Sequence, residues 1–304
     1  MKIKKLFLIS LFIFSSQISH FINAQDPVWK GKGRIAISSD GNEHDHDDWA
    51  ATPLSLALLS AAGLQEQMVL YTYSDHIWGS NQEYKVAESE PTPYDQMRES
   101  ALKGAEWFGF DKTRFICAVD NAEVAYEALK NEINASSEEN PLFIIAAGPM
   151  QVAGEAIYRS DASKLKYVTL ISHSNWNNEH ADRPYSNTDW DFHTGWTFNR
   201  IKTLFSTYDG GELNCIRIVD QNGGPDYNGF KAPIKMFDWI KTSPMRDSDA
   251  YKKGAWDWLY SRLETVVKNG DFDPSDAGMI VYLLTGIEKT DPLMAKDILE
   301  NPKR

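Results

Sequence analysis

Short apolar runs alternate along this chain with segments in which apolar residues recur at helical spacing. The short runs predict strands at 34–38, 68–73, 115–119, 142–147, 167–172 and 216–219. The segments with helical spacing predict helices at 54–64, 94–108, 122–133, 152–158, 256–267 and 276–284. The run at 142–147 is continuously apolar, which is typical of a parallel strand covered on both faces. This alternation predicts an α/β fold, a doubly wound and mostly parallel sheet with helices on both faces.

The N-terminal pattern differs from the rest and predicts a secretory signal peptide over residues 1–24. Basic residues open the chain, an apolar run follows at 6–14, and Asn23-Ala24 offers a small-residue cleavage site. The apolar run is too short to span a bilayer, and no later run is long enough. The alternative to a cleaved signal peptide is that this N-terminal segment remains as a membrane anchor. We expect residues 25–304 to form one α/β domain that is secreted or periplasmic, with no membrane contact after cleavage.

Charge narrows the choice of partners. The formal net charge is −12, and it becomes −15 once the three lysines of the leader are removed. An acidic protein does not attract nucleic acid or anionic lipid over long range, so we expect no nucleic-acid partner. The charge says little about small neutral substrates, and a small-molecule or oligosaccharide substrate is compatible with it. The two cysteines, Cys117 and Cys215, each lie in a strand-like run. We expect both cysteines to be buried as free thiols. A disulfide between them is the alternative, because the sequence alone cannot show whether their Cα atoms lie close enough to pair.

The loop after the first predicted strand concentrates charged and metal-binding residues. Its nine positions include Asp40, Glu43, His44, Asp45, His46, Asp47 and Asp48. So many carboxylates repel one another unless they are fully solvated or neutralised by a cation. The helix predicted at 54–64 follows directly, with Pro53 near its start, where an N–H is not needed. In open α/β folds ligands bind at this end of the strands, so the loop predicts a cation site.

Three segments together resemble the nucleoside hydrolase superfamily, and most closely its secreted nucleoside hydrolase-like branch. They are the loop ending in Asp45-His46-Asp47-Asp48, the turn at Gly148-Pro149 and the late acidic segment at 270–276. Gln151-Val152 departs from the Thr-Asn that is usual after the Gly-Pro turn. The resemblance implies a nucleoside hydrolase-like α/β domain over 25–304, a bound Ca²⁺ and hydrolysis of a glycosidic bond. It also implies a homo-oligomer, since members often form dimers or tetramers.

The resemblance also implies roles for individual residues. Asp48 matches a metal ligand, Asp47 a residue that contacts a sugar hydroxyl, and Asp40 a metal ligand that also serves as base for the attacking water. Because the loop is longer than usual, Asp45 is an alternative for that ligand. The carbonyl of Ala147 matches a backbone ligand, and a late aspartate completes the metal site. Its candidates are Asp273 and Asp276. Asp189 and Asp191 resemble the pair that holds the sugar, with Asp191 where Asn is usual.

Histidines and loop tryptophans complete the set of candidates. Glycosidic cleavage passes through a state that is positive at the sugar, and its leaving group needs a proton. Histidine suits that donation near neutral pH, and the candidates are His76, His173 and His193. Three tryptophans lie among polar residues in predicted loops, where an aromatic ring can cover a sugar face. They are Trp78, Trp176 and Trp190.

Two alternatives remain beside the hydrolase. A protein that binds carbohydrate through Ca²⁺ without turnover would need the same scaffold. A zinc hydrolase would use His44 and His46, although Trp49 stands where the last histidine of the zinc-binding pattern belongs. Among glycosidic substrates a saccharide is favoured over a free nucleoside, because the export signal, Gln151, Asp191 and the loop tryptophans fit it better.

Overall fold

The computed structural model describes residues 26–41, 46–77, 92–179, 195–207, 212–223, 229–269 and 272–303. Six strands form one parallel sheet. They are β1 (Arg34–Ser39), β2 (Met68–Tyr73), β3 (Arg114–Cys117), β4 (Leu142–Ala147), β5 (Val168–Ser172) and β6 (Asn214–Arg217). Their order across the sheet is β3-β2-β1-β4-β5-β6. The order reverses between β1 and β4, which is where a doubly wound sheet opens a crevice for a ligand. The predicted α/β class and parallel sheet are confirmed.

The central strands are buried because helices cover both faces of the sheet. β1 is paired with β4 from Arg34 opposite Leu142 to Ser39 opposite Ala147, so the two strands end side by side. All six residues of β4 are buried, as its continuous apolar run predicts. β6 lies at the edge and is half exposed, with polar residues at both ends. It begins two residues earlier than the apolar pattern predicts, because an edge strand needs less burial.

Eleven α-helices are described, several of them one or two turns long. They are α1 (Asp48–Ala61), α2 (Pro93–Arg98), α3 (Gly104–Phe108), α4 (Ala122–Asn134), α5 (Gln151–Tyr158), α6 (Asn175–Glu179), α7 (Phe198–Lys202), α8 (Trp239–Thr242), α9 (Ala250–Asn269), α10 (Ala277–Thr285) and α11 (Pro292–Glu300). Two π-helical segments, Glu99–Lys103 and Thr203–Thr207, and three 3₁₀ segments, Ala162–Tyr167, Ile234–Phe237 and Arg246–Ser248, complete the helical structure. Among the described helices none combines the length and apolar character that a bilayer span requires.

Two clusters of buried side chains, one on each face of the sheet, make up the core. The larger joins the sheet to α1, α3, α9, α10 and α11. The smaller joins it to α4, α5 and α7. The sheet is therefore the middle of three layers, and the carboxyl ends of β1 and β4 meet the first turns of helices from both outer layers.

The first helix starts earlier than its apolar pattern indicates. α1 begins at Asp48, with Asp47 as its N-cap, so Pro53 lies inside the helix and not near its start. Proline has no N–H to donate to the carbonyl four residues before it, which here belongs to Trp49. The Ser100 hydroxyl donates to that carbonyl instead, at 2.6 Å. The acidic loop therefore runs directly into the helix, and Asp48 is a helical residue.

The two cysteines are free. Cys117 ends β3 and Cys215 lies in β6, the strands at opposite edges of the sheet. Five strand spacings separate them, about 24 Å, whereas a disulfide needs Cα atoms within about 7 Å. The expectation of free thiols is confirmed, and that of burial holds for Cys117, whereas Cys215 is only partly buried.

Candidate metal centre

Three buried aspartates converge at the crevice between β1 and β4. One carboxylate oxygen from each of Asp40, Asp48 and Asp276 lies within 4.8 Å of the others. Asp40 follows β1, Asp48 opens α1 and Asp276 is the N-cap of α10. All three are buried. Carboxylate oxygens at this separation are the donor set that a hard divalent cation prefers.

Glycines allow the aspartates to approach the backbone this closely. Gly148, just after β4, has φ +108°, and a Cβ added there would lie 2.5 Å from Cγ of Asp40. Gly41 has φ +85°, and its added Cβ would lie 2.6 Å from Cβ of Asp48. Only glycine adopts such backbone angles without strain and leaves the space open. The two glycines therefore shape the cradle around the carboxylates.

The carbonyl of Ala147 lies at the same place. It accepts a hydrogen bond from the backbone N–H of Asp40, with N and O 3.1 Å apart. A carbonyl oxygen has two lone pairs, so this bond leaves one for another partner. The sequence predicted a backbone ligand here, and the structure places the carbonyl beside the residue that opens the cluster.

Asp276 is held by His173, which follows β5. The Nε2 of His173 lies 2.6 Å from Oδ1 of Asp276, and both residues are buried. At the other ring nitrogen, Nδ1, the backbone N–H of Gln221 donates at 3.2 Å. Oδ1 of Asp220 lies farther from Nδ1, at 3.5 Å, and accepts from the N–H of Asn222 at 3.0 Å.

The protonation of His173 is subject to opposing influences. Burial lowers its pKa, whereas hydrogen bonds with Asp220 and Asp276 raise it, and the net result is a pKa of about 9. A charged ring carries a hydrogen on Nδ1 that Oδ1 of Asp220 can accept, whereas a neutral ring offers the Nδ1 lone pair to the Gln221 N–H. In either state Nε2 carries the hydrogen that is donated to Asp276.

The second late aspartate is arranged differently. Oδ1 of Asp273 accepts from the backbone N–H of Ser275 at 3.0 Å, and its Oδ2 forms an ion pair with Lys231 at 2.9 Å. The sequence left Asp273 and Asp276 as equal candidates for the late ligand. The geometry brings Asp276 to Asp40 and Asp48, and it pairs Asp273 with a lysine.

A cleft of about 160 Å³ opens beside the cluster. It is lined by Asp47, Gly148, His173, Ser174, Trp176, Asn177, Asn222, Asp273, Ser275 and Asp276. Asp47 uses its Oδ1 to accept from the N–H of Asp48 at 2.8 Å. Trp176 is 39% exposed, and its ring meets the edge of His76 at a centroid distance of 6.1 Å. The cleft therefore combines an aromatic surface with carboxylates and amides.

Sequence reasoning missed a buried carboxyl group beneath this region. Asp75 follows β2, and its Oδ2 accepts from the hydroxyls of Ser38 and Thr72, the latter at 2.7 Å. Oδ1 has no hydrogen-bond partner among the described residues. Burial raises the pKa of Asp75 to about 7, although the two hydroxyls and the backbone of Ser39 lower it in part. An aspartate two residues after a predicted strand was the available signal.

Several predicted residues lie outside the described part of the chain. They are His44, Asp45, Trp78, Asp189, Trp190, Asp191 and His193, and the predicted signal peptide lies outside it as well. His46 is described and packs against Trp49, with ring centroids 4.5 Å apart. Trp49 in turn donates from its indole nitrogen to the carbonyl of Gly41. The tryptophan at the position of the missing zinc ligand thus ties Gly41 and His46 to the first turn of α1.

Fold and cluster together define a class of protein, an open α/β sheet that gathers three buried carboxylates where its strand order reverses. No family model matches the chain. Its sequence is 33% identical over 287 residues to uncharacterized protein P22 of Formosa agariphila, an alignment that covers 91% of this chain and 94% of P22. The chain belongs to the same protein family as P22.

Proposed function

We propose that this protein is an exported hydrolase of glycosidic bonds that depends on a divalent cation, with Ca²⁺ as the cation and a saccharide as the favoured substrate. The observation that carries the proposal is the cluster of Asp40, Asp48 and Asp276 beside a polar, aromatic cleft that Asp276 also lines. Ligands of doubly wound folds bind at this crevice. The resemblance to the nucleoside hydrolase-like branch supports the reaction class.

The donor set fits Ca²⁺ better than Zn²⁺. Among the described residues, the group close enough to share one ion consists of three carboxylates, with no histidine or cysteine in it. Zinc sites in proteins are built mainly from nitrogen and sulfur ligands, whereas calcium takes oxygen ligands. Buried carboxylates at this separation repel one another, and a bound cation offsets that repulsion.

The residues around the cluster suit hydrolysis at an anomeric carbon. A bound divalent cation would orient a water molecule and lower its pKa. We assign Asp40 the role of taking the proton that this water would lose. The water oxygen bonds to the anomeric carbon while the bond to the leaving group breaks. The positive charge that develops on the sugar is stabilised by the surrounding carboxylates.

The walls of the cleft suit a sugar. Trp176 presents an exposed ring that can cover the C–H face of a pyranose or furanose. Asp47, Asn177 and Asn222 supply hydrogen-bonding groups for hydroxyls. His76 is buried and packs against Trp176, with ring centroids 6.1 Å apart. We assign His76 the donation of a proton to the leaving group.

Hydrolysis of a substrate panel tests the proposal. Nucleosides, aryl glycosides and oligosaccharides are incubated with the wild type and with Asp48→Asn, each with Ca²⁺ and with a chelator. We expect wild-type turnover that the chelator abolishes, and a loss of at least a hundredfold in Asp48→Asn. Equal rates for the two proteins, or turnover indifferent to the chelator, would contradict the proposal.

A carbohydrate-binding protein without turnover is the second candidate, favoured by the exposed ring of Trp176 beside amide and carboxylate groups. Calorimetry and product analysis on the same oligosaccharide separate the two. If the oligosaccharide binds in the presence of Ca²⁺ and no product forms, the protein is a carbohydrate-binding protein and not a hydrolase. Elemental analysis of the purified protein tests the metal, since stoichiometric zinc without calcium would favour the zinc hydrolase.

A further inference from the structure

The contacts behind Asp276 form a continuous chain of hydrogen bonds. Gln221 is fully buried and lies just beyond β6. Its side-chain nitrogen donates to the carbonyls of Val219 at 2.7 Å and Glu288 at 2.8 Å. Its side-chain oxygen accepts from the hydroxyl of Thr290 at 2.5 Å. Both ends of the amide are therefore engaged, and Gln221 has a fixed orientation.

The backbone of Gln221 is held as firmly as its side chain. Its carbonyl accepts from the N–H groups of Phe230, at 2.9 Å, and Lys231, at 3.1 Å. Its N–H is the group that donates to Nδ1 of His173. Gly278 leaves room for this arrangement, since a Cβ there would lie 2.6 Å from the side-chain oxygen of Gln221.

We propose that Gln221 and His173 are positioning residues for the cation ligand Asp276, an inference that rests on the proposed cation site. The N–H of Gln221, 3.2 Å from Nδ1, fixes the orientation of the His173 ring, so that Nε2 faces Oδ1 of Asp276 at 2.6 Å and donates to it. This bond fixes the direction of the Asp276 carboxylate, one oxygen of which lies within 4.8 Å of carboxylate oxygens of Asp40 and Asp48. Hydrogen bonds to ligand residues commonly change metal affinity by about tenfold to a hundredfold.

Substitutions at His173 separate the donor from the shape of the ring. His173→Leu removes the donor, and we expect it to weaken Ca²⁺ binding in calorimetry by about tenfold or more. His173→Gln places an amide nitrogen near the position of Nε2 and is expected to stay within about threefold of the wild type, since the donor to Asp276 is kept. If His173→Gln keeps the Ca²⁺ affinity that His173→Leu loses, His173 acts by donating a hydrogen bond to Asp276 and not merely by filling space.

A second pair of variants tests Gln221 without touching the cluster. Thr290→Val removes the hydroxyl that fixes the Gln221 amide, and we expect Ca²⁺ affinity to fall severalfold. Thr285→Val is the matched control, because Thr285 donates to the carbonyl of Val281 within α10 and makes no described contact with Gln221. Thermal melting without Ca²⁺ confirms that each variant is folded.

Nitrogen NMR of the histidine rings gives a readout that is independent of turnover. In the Ca²⁺-loaded protein we expect Nε2 of His173 to carry a hydrogen that is donated to Asp276. An Nε2 without a hydrogen would overturn the proposed positioning of Asp276, as would unchanged Ca²⁺ affinity in both His173→Leu and Thr290→Val. A wild type that binds no Ca²⁺ would instead overturn the cation site, and with it the proposed function.

Discussion

At the scale of single residues, the cluster depends on positions where a side chain is missing as much as on the carboxylates. Gly148 places its backbone where any Cβ would overlap the carboxylate of Asp40. The aspartate can therefore turn toward Asp48 and Asp276 while its own N–H remains bonded to Ala147. The Gly148-Pro149 turn, recognised in the sequence as part of a motif, has a direct physical role in the site.

Gly148→Ala should weaken Ca²⁺ binding by about tenfold or more and lower stability by about 1–3 kcal/mol, because it combines backbone strain with a clash against a ligand. Gly109→Ala is the control, since Gly109 also has positive φ, +78°, but nothing lies within 4 Å of its added Cβ. The control should lose stability and keep Ca²⁺ affinity. Calorimetric titration and thermal melting measure the two effects, and equal Ca²⁺ affinities in the two variants would contradict the clash.

Asp75 should make stability depend on pH in an unusual direction. Its pKa rises on folding from 3.8 to about 7, so the folded state keeps a proton that the unfolded chain releases. This contribution is fully present below pH 4 and is lost as the pH rises through 7. At about 1.4 kcal/mol per tenfold change, the loss is on the order of 4 kcal/mol.

Asp75→Asn tests this directly, because asparagine keeps an acceptor for Ser38 and Thr72 and cannot ionise. The melting temperature of the variant should rise relative to the wild type between pH 4 and pH 7 and then stay level. Asp161→Asn is the control, since the exposed Asp161 accepts from Ser163 and has a lowered pKa. A pH-independent difference between Asp75→Asn and the wild type would rule out the buried titration.

At the scale of elements, α1 is fixed in place by a contact that replaces a missing helical hydrogen bond. Ser100, in the π-helical segment Glu99–Lys103, donates to the Trp49 carbonyl, which receives no hydrogen bond from Pro53 because proline has no N–H. Arg262 of α9 is buried and donates to the same hydroxyl at 3.0 Å, and burial lowers its pKa to about 10. Three elements thus meet one residue away from the cluster member Asp48.

Ser100→Ala should cost about 1–3 kcal/mol, because it leaves a buried carbonyl and a buried guanidinium each without one partner. Pro53→Ala restores an N–H for the Trp49 carbonyl, so it should recover part of the loss in the double variant. Chemical denaturation of the four proteins gives the coupling energy between the two positions. Purely additive effects would show that Ser100 does not substitute for the helical bond.

The helices and strands also differ in how well the sequence pattern could predict them. Buried parallel strands are continuous apolar runs, so β2 and β4 were predicted at their observed bounds. The helix α11 was missed, although its N-cap Asp291, the proline in its first turn and its one buried side are all signals of a helix. The start of α1 was missed because acidic residues mask a helical turn. At the site, Asp40 and Asp48 share one loop, whereas the contacts of Asp75, His173 and Gln221 join distant segments that no local pattern connects.

At the scale of the whole molecule, the cluster joins three parts of the chain that fold around the sheet. Asp40 follows the central strand β1, Asp48 opens a helix on one face and Asp276 caps the late helix α10. A cation bound by all three links the first βα unit to the C-terminal helices. Such an ion binds the folded state alone, because the unfolded chain does not bring these residues together.

Calcium should therefore stabilise the entire fold, by about 2.7 kcal/mol when its concentration is a hundred times the dissociation constant. We expect the melting temperature to rise with added Ca²⁺ and to return when a chelator is added. Asp276→Asn should abolish the rise. Asp273→Asn, in the same segment but paired with Lys231, should retain it, because its carboxylate lies outside the cluster. A rise that survives in Asp276→Asn and disappears in Asp273→Asn would place the ion at the rim of the cleft instead of between β1 and β4.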